Sequence, residues 1–385
     1  MKNKKNLTII MLLFAICIMA FMIFIKYEKY EEVYAQQANS KVDIALPLTI
    51  YAVVGKEINI YFDNILDDKS EKYQIDVTCD IGKQQSERWT CIPSSAGNYN
   101  LTISIYDNNV LINKVTSNIV VKSDDVGNGV NKKCLFIGDS ITNNGAYTEE
   151  LVNLFDNDVM DITLLGTRGT LPNLHEGRSG WTSKLYTTVN EIANEKGVMV
   201  PNAFWNPNIS AFDFSYYMAQ QGYNEIDYVI INLGINDTFN FVDDTALNAE
   251  LPNILARYKI MVDSIKKYNT NIKIGITVTI PPSQSQDSFG NSYFNGQTQW
   301  RYKKNNFIWN KALINNYKDK ETQNIYLVPI NTNLDTVNNM QVEAVAVNSR
   351  NNTQAVKQSN GVHPASSGYY QIADVIYYFI KSFES

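Results

Sequence analysis

The stretch that decides the fold of this chain is residues 134–142, Cys134-Leu135-Phe136-Ile137-Gly138-Asp139-Ser140-Ile141-Thr142. Four apolar residues followed by a glycine predict a short strand buried on both faces, as in a parallel sheet. Ser140 would then open the next helix, at the positive end of its dipole. Ligands bind at this carboxyl end of the strands in open α/β sheets, so Ser140 is a candidate catalytic residue. A simple helix cap is the alternative.

The rest of the C-terminal part repeats this alternation of strand and helix. Runs rich in Val, Ile and Leu predict strands at 134–138, 159–165, 227–233, 272–280 and 325–330. Helical stretches separate them, among them 183–195, 246–268 and 364–383. We therefore expect residues 132–385 to form an α/β domain in which helices cover both faces of a parallel sheet.

Composition narrows the functional classes. The 385 residues carry a net charge of −6 and no basic run beyond the first few residues, so no nucleic-acid partner is expected. The four cysteines and two histidines show no metal-binding spacing, and we expect no metal or other cofactor. Any histidine-dependent chemistry must use His175 or His363.

The N-terminus carries an apolar run at residues 7–25, preceded by three lysines within residues 1–6. Its length suits a spanning helix of about 20 residues better than a signal-peptide core. The basic flank predicts a cytoplasmic N-terminus, a transmembrane signal anchor, a stalk at 26–42 and an extracytoplasmic remainder. Secretion after signal cleavage is the alternative.

Residues 43–123 show short alternating strands divided by Gly, Asp and Asn, which predict a small all-β sandwich. The segment 96–103 resembles the late strands of immunoglobulin-like modules. Cys79 and Cys91 could form a disulfide, worth about 3 kcal/mol for so short a loop, or remain two buried thiols. A polar linker, 124–131, separates this region from the α/β domain.

Polar residues follow the predicted strands where chemistry would be placed. The loop 175–182 follows the second strand, Asn236 the third and His363 the fifth, so all would meet Ser140 at one sheet edge. Ser140 would be the nucleophile and His363 its general base. The oxyanion would be held by the Gly180 N–H and the Asn236 amide, together with the Ser140 N–H. Glycine at 180 would let substrate approach the backbone.

These residues occur in short blocks whose order resembles that of the SGNH (GDSL-type) hydrolase family. The blocks are Gly138-Asp139-Ser140, Ser179-Gly180, Gly234-Ile235-Asn236-Asp237 and Val362-His363-Pro364. The resemblance implies a flavodoxin-like three-layer fold, no metal, and ester hydrolysis through an acyl-serine intermediate. Many members act on acetylated sugars or polysaccharides, and others on lipids or thioesters.

One position departs from the family pattern. The aspartate that usually stands three residues before the histidine is Asn360 here. The same change in a serine protease costs about 10⁴ in kcat. Three alternatives remain: a Ser–His dyad oriented by Asn360 or a backbone carbonyl, an acid from another loop, or a weakened enzyme. His175 is a competing base, or a residue that orders its loop or contacts substrate, but the order of the blocks favours His363.

Two long insertions, 199–224 and 281–306, are rich in aromatic and amide side chains. Such loops suit sugar stacking, with Trp205, Trp300 and Tyr302 as candidate contacts, unless the rings only pin the loops to the core. The chain is thus expected to be an extracytoplasmic serine esterase that removes acyl groups, mainly acetyl, from a carbohydrate. Its rivals are an O-acyltransferase acting on a cell-surface polysaccharide and a weakened, carbohydrate-binding surface protein.

Overall fold

The computed structural model describes residues 21–22, 42–193, 197–293 and 296–385. The predicted anchor 7–25 lies outside these residues except for Phe21 and Met22, and so do residues 1–6 and nearly all of the predicted stalk. No helix within the described ranges is both long and apolar enough to cross a bilayer. The membrane anchor therefore stays a prediction.

Residues 43–123 form two small sheets around one core. The strands are β1 (Thr49–Val53), β2 (Ile58–Tyr61), β3 (Gln74–Thr78), β4 (Lys83–Gln84), β5 (Arg88–Cys91), β6 (Gly97–Asp107) and β7 (Val110–Lys122). One sheet has the order β1-β7-β6-β3 and the other β2-β5-β4. Every second residue of β6 is buried from Leu101 to Ile105, and these side chains share a core with Ile60 and Trp89 of the other sheet. The immunoglobulin-like assignment remains a prediction.

Cys79 and Cys91 are free thiols in this structure, which agrees with the second of the two alternatives, two thiols rather than a disulfide. Cys79 follows β3 in one sheet, whereas Cys91 ends β5 in the other and is paired with Ile58. Burial raises the pKa of both thiols, to about 11 for Cys91, with the neighbouring Cys79 adding to the effect. Both thiols are therefore mainly protonated at neutral pH.

The remaining strands follow the linker. In chain order they are β8 (Asn131–Gly138), β9 (Asp161–Leu165), β10 (Arg168–Thr170), β11 (Asn173–Gly177), β12 (Glu191–Ala193), β13 (Met199–Pro201), β14 (Trp205–Asn206), β15 (Ala211–Phe212), β16 (Tyr228–Asn232), β17 (Lys273–Thr277), β18 (Ile325–Val328), β19 (Val342–Asn348) and β20 (Asn351–Gln358). Seven of them form one sheet in the order β10-β11-β8-β16-β17-β18, with β9 also paired to β8. The five predicted strands lie parallel in the flavodoxin-like order, and the hairpin strand β10 runs antiparallel. The predicted α/β domain is confirmed, with a mixed rather than a purely parallel sheet.

Helices cover both faces of this sheet. The helices are α1 (Phe62–Ile65), α2 (Ser140–Asn143), α3 (Ala146–Asp156), α4 (Ser183–Thr188), α5 (Phe214–Gln221), α6 (Ile235–Thr238), α7 (Asp244–Tyr268), α8 (Asp287–Ser292), α9 (Gln299–Tyr317), α10 (Ile330–Asn333) and α11 (Ser366–Lys381), with 3₁₀ turns at Ser70–Lys72 and Glu321–Gln323. In β8, Cys134 and Phe136 face the core under α3 and α11, whereas Leu135 and Ile137 face the core under α7 and α9. Burial on both faces explains the unbroken apolar run.

The predicted helix 183–195 is wrong beyond Thr188. Val189 adopts an extended backbone, and residues 191–193 pair with residues 199–201 as a small hairpin. The β-branched Val189, which follows the last helical residue, favours that conformation over a helix.

The linker 124–131 is tied to the C-terminus. The buried ammonium of Lys381 donates to the carbonyl oxygens of Asp124 and Val126 and pairs with Asp158 at 2.7 Å. The β region also hydrogen-bonds directly to the α/β domain, for example from the Asn59 N–H to Asn333 Oδ1 at 2.8 Å. These contacts fix the β region against the side of the α/β domain formed by α10 and α11.

Candidate active site

Ser140 lies at the turn that leaves β8. Gly138 ends the strand, and a Cβ there would lie 2.0 Å from the Thr142 hydroxyl, so only glycine fits. The Asp139 carboxylate caps the turn by accepting from the Ile141 N–H at 2.9 Å. The helix that Ser140 opens has only four residues, and its dipole is correspondingly small. The position of Ser140 is therefore set by this turn, and the expected dipole contributes little.

His363 approaches Ser140 from the loop between β20 and α11. Its Nε2 lies 2.8 Å from the Ser140 hydroxyl oxygen, and its Nδ1 lies 3.2 Å from Asn360 Oδ1. Burial lowers the pKa of His363, so the imidazole is neutral at pH 7 and can accept a proton. The structure thus brings together the serine and the histidine that the sequence pairs as nucleophile and base.

Asn360 occupies the place expected for an aspartate. Its Oδ1 accepts from the backbone N–H groups of Val362 (3.1 Å) and His363 (2.9 Å) and from the Tyr293 hydroxyl (3.2 Å). Within the described ranges, no carboxylate hydrogen-bonds to the His363 ring. Of the alternatives left open by the sequence, this geometry favours a dyad oriented by Asn360 over an acid from another loop.

His175 lies on β11, not in the loop expected from the sequence. Its side chain is buried, and its Nδ1 accepts from the Gly177 N–H at 3.1 Å. Burial, reinforced by the nearby Arg168 guanidinium, lowers its pKa to about 4. His175 therefore orders its strand as a neutral ring, and its hydrogen bonding gives it no role at Ser140.

Gly180 has φ +76°, a conformation that other residues rarely adopt. A Cβ there would meet no protein atom within 4 Å, so the space beside Gly180 is open. The positive φ is one reason for glycine, and the approach of substrate to this backbone stays a prediction. Asn236, near the start of α6, donates from Nδ2 to the Trp181 carbonyl at 3.0 Å. The same amide has a second N–H that can serve an oxyanion.

The two candidate oxyanion segments are joined by a residue that the sequence analysis did not assign. Asp237 accepts from the Ser183 N–H at 3.0 Å and from its hydroxyl at 2.5 Å. Gly234 makes the preceding turn, where φ is +116° and a Cβ would lie 2.4 Å from Trp309 Nε1. This tie fixes Asn236 relative to the segment that carries Gly180. In the sequence, the only indication of this role for Asp237 was its position directly after Asn236.

Asp139 is a buried carboxyl next to the nucleophile. Burial, with a smaller effect from Asp237, raises its pKa to about 7. It is therefore partly protonated near neutral pH, even as it caps the turn at Ser140.

The three aromatic candidates for substrate contact have different surroundings. Tyr302 is fully buried against Phe239, with ring centroids 4.9 Å apart, so its predicted contact with substrate is wrong. Trp205 is half-buried in the β14–β15 hairpin. Trp300 is 66% exposed, with the cationic groups of Arg301 and Lys304 over its ring. Of the three side chains, only that of Trp300 is exposed.

A cavity of about 340 Å³ opens beside Asn236. Six of its nine lining residues are polar or charged, and the full set is Thr182, Lys184, Asn236, Asp237, Phe241, Ala246, Ala249, Glu250 and Arg257. The Arg257 guanidinium lies 2.9 Å from Glu250, which also accepts from Asn253 at 2.8 Å. The cavity thus offers an organised set of hydrogen-bonding groups next to an oxyanion candidate. In the described part of the chain, no cluster of His, Cys, Asp and Glu is arranged to hold a metal ion.

The family model for GDSL-like lipases and acylhydrolases matches residues 135–376, well over half of the 385-residue chain. Among the solved structures that the chain is similar to is Est24, a carbohydrate acetylesterase from Sinorhizobium meliloti (14% identity, TM-score 0.36, 65% of this chain and 98% of that one). The native aryl esterase of M. smegmatis (13%, TM-score 0.37, 65% and 99%) and a GDSL-like lipase from Bacteroides thetaiotaomicron (15%, TM-score 0.32, 64% and 85%) are also similar.

None of the curated proteins with which the chain was compared matches it. Identities and TM-scores this low say nothing about the substrate, and the assignment rests on the family model. The chain belongs to the GDSL-like lipase/acylhydrolase family and is an ester-hydrolysing enzyme.

Proposed function

We propose that this enzyme removes acyl groups, principally acetyl, from a carbohydrate outside the cytoplasm, with Ser140 as nucleophile and His363 as general base. The observation that carries the carbohydrate assignment is the set of charged and polar residues that line the cavity beside Asn236. A site for a long acyl chain needs an apolar groove, whereas this cavity carries Lys184, Glu250 and Arg257. Paired charged groups of this kind bind hydroxyl groups well.

The chemistry follows from the geometry. The Ser140 hydroxyl attacks the ester carbonyl while its proton passes to His363 Nε2, 2.8 Å away. The Gly180 and Asn236 N–H groups stabilise the tetrahedral oxyanion, and His363 returns the proton to the departing sugar oxygen. Water then hydrolyses the acyl-serine by the same steps. The close Ser140–His363 contact argues against a decayed site that only binds.

The extracytoplasmic location is supported by the apolar run 7–25 and the lysines before it. Limited proteolysis of intact cells tests it with an epitope tag at the C-terminus. We expect protease to remove the tag from intact cells. In cells not treated with protease, we expect the tag to remain in the membrane fraction. A tag that is protected until lysis would contradict this location. A tagged protein in the medium of untreated cells would indicate cleavage of the signal segment and secretion.

The substrate is tested by acetate release from a panel of acetylated polysaccharides, with Ser140→Ala as the blank. A sugar acceptor added to the same assay distinguishes hydrolysis from acyl transfer. We expect free acetate and no acylated acceptor. Hydrolysis of aryl acetate with no release from any polysaccharide would contradict the carbohydrate assignment while leaving the esterase intact.

The role of the cavity is tested with Arg257→Met. We expect a KM for acetylated polysaccharide raised about tenfold, with little change for a small aryl acetate that does not reach the cavity. Lys259→Met is the matched control, because Lys259 lies on the same helix and pairs with exposed Asp263 outside the cavity lining. Equal effects of the two substitutions would exclude the cavity as the sugar site.

A further inference from the structure

The side chain of Asn360 has two unlike ends, whereas an aspartate has two equivalent oxygens. With its oxygen toward His363, Asn360 accepts a hydrogen bond from the Nδ1–H group, so the ring proton stays on Nδ1 and Nε2 is left unprotonated toward Ser140. With its NH₂ group toward His363, Nδ1 would have to accept, and the ring proton would lie on Nε2. His363 could then not take the Ser140 proton. The direction of this carboxamide therefore decides whether the base can work.

Three hydrogen-bond donors other than His363 Nδ1 favour the orientation of the Asn360 carboxamide in which its oxygen points toward His363. The Tyr293 hydroxyl and the N–H groups of Val362 and His363 all point at Asn360 Oδ1, at 3.2, 3.1 and 2.9 Å. A carboxamide NH₂ group can accept from none of them. Tyr293 is the only one of the three that belongs to another segment, 67 residues away along the chain.

The Tyr293 ring is held firmly against the loop that carries Asn360. Its centroid lies 4.7 Å from that of Phe239 and 5.4 Å from that of Phe289. A Cβ at Gly361 would lie 2.8 Å from the Tyr293 ring and 2.7 Å from the Phe289 ring, so a glycine there permits this close packing. Burial raises the pKa of Tyr293, which keeps its hydroxyl protonated as a donor.

We propose that Tyr293 is a positioning residue whose hydroxyl holds the Asn360 carboxamide oxygen toward His363 and so keeps His363 in the tautomer that accepts the Ser140 proton. The family blocks contain no such residue. In this chain the aromatic insertion supplies part of the orientation that a carboxylate gives elsewhere, although it supplies no charge.

The first test is Tyr293→Phe, which keeps the ring and removes the hydroxyl. We expect kcat for an aryl acetate to fall about tenfold with KM unchanged, as for the loss of one buried hydrogen bond. Tyr369→Phe is the matched control, because Tyr369 belongs to the same core cluster that Tyr293 packs against and its hydroxyl has no hydrogen-bond partner among the described residues. That variant should keep kcat within about twofold.

The second test repeats Tyr293→Phe in an Asn360→Asp enzyme. Either carboxylate oxygen accepts from Nδ1, so the orientation lock is no longer needed and the loss should shrink to about twofold or less. An equal loss in both backgrounds would show that Tyr293 merely supports the loop. Full activity of the single variant Tyr293→Phe would also overturn the proposal.

The tautomer can be observed directly because the chain has only two histidines. In ¹⁵N-histidine NMR of the intact protein, we expect His363 to carry its proton on Nδ1. We expect His175 to carry its proton on Nε2, since its Nδ1 accepts from Gly177. Tyr293→Phe should add the Nε2–H form of His363 and leave His175 unchanged. A His363 spectrum that does not change when kcat falls would contradict the proposal.

Discussion

His363 Nδ1 lies 3.2 Å from the side-chain oxygen of Asn360, at a place where related hydrolases have a carboxylate. The amide oxygen can orient the ring, but it brings no charge to stabilise the imidazolium that forms during catalysis. Burial acts in the same direction and lowers the pKa of His363. In the resting enzyme His363 is thus neutral and well oriented. The imidazolium that forms during catalysis is destabilised, because burial disfavours its charge and Asn360 offers no opposite charge.

The first prediction concerns the pH dependence. Because the pKa of His363 is lowered from its usual value of 6.5, kcat/KM for an aryl acetate should reach half its maximum below pH 6.5. Activity is retained above that pKa and lost as the pH falls through it, since only the neutral ring accepts a proton. A pH–rate profile with its acidic midpoint above 6.5 would contradict this electrostatic description.

The second prediction is that Asn360→Asp raises kcat or leaves it unchanged. Four donors already converge on Asn360 Oδ1, an arrangement that suits a carboxylate. The added charge should also move the acidic midpoint of the pH–rate profile upward, because it stabilises the imidazolium. A large loss of kcat, with unchanged thermal unfolding, would show that Asn360 has another duty.

The third prediction separates the two histidines. His363→Ala and Ser140→Ala should each abolish aryl acetate hydrolysis, whereas His175→Ala should keep a measurable part of it. The reason is that His363 contacts the serine, while His175 is hydrogen-bonded within its own strand. Circular dichroism of each variant checks that the fold survives. Full activity in His363→Ala would refute its assignment as the base.

The central sheet could be predicted because its main strands are buried on both faces and therefore consist mainly of apolar residues. Residues 134–137 face a helical layer on each side, so no polar residue interrupts the run. The strand itself begins earlier than predicted, at Asn131, because its first three residues are polar. The candidate residues could be placed because Ser140, Asn236 and His363 all follow parallel strands. Their short motifs identify them one by one, and the topology brings them to a common edge.

Other features depend on contacts between distant segments. Tyr302 and Trp300 stand two positions apart in an aromatic insertion, and the sequence does not reveal that one is in the core and the other exposed. The Tyr293–Asn360 hydrogen bond joins segments 67 residues apart, and no local pattern marks it. The β10–β11 hairpin, which carries His175, was missed because its strands are short and polar.

The fourth prediction concerns the oxyanion. Asn236→Ala should lower kcat by about 10²–10³ and leave KM nearly unchanged, because its amide is needed chiefly in the transition state. Asn153→Ala is a suitable control, since Asn153 lies on α3, away from the cavity lining, and donates to Glu150 in an exposed hydrogen bond. We expect that control to keep kcat. A raised KM with normal kcat in Asn236→Ala would assign Asn236 to substrate binding.

The fifth prediction concerns stability. The pKa of Asp139 is about 7 in the folded protein, against 3.8 for an exposed carboxyl, so its ionisation opposes folding increasingly as the pH rises from about 4 to 7. Asp139→Asn, which keeps a capping side chain, should therefore stabilise the protein more at pH 8 than at pH 5, by about 2–3 kcal/mol. Urea unfolding at both pH values measures the difference. Equal effects at the two pH values would exclude a raised pKa.

The central claim is that Ser140, activated by His363, is the nucleophile. The most direct measurement is labelling with a serine-reactive fluorophosphonate, followed by peptide mass spectrometry and a parallel assay of aryl acetate hydrolysis. The geometry predicts one label per chain, on Ser140, with activity lost in proportion to labelling and no label on Ser140→Ala. Activity that survives complete labelling, or a label on another residue that tracks the loss, would contradict it.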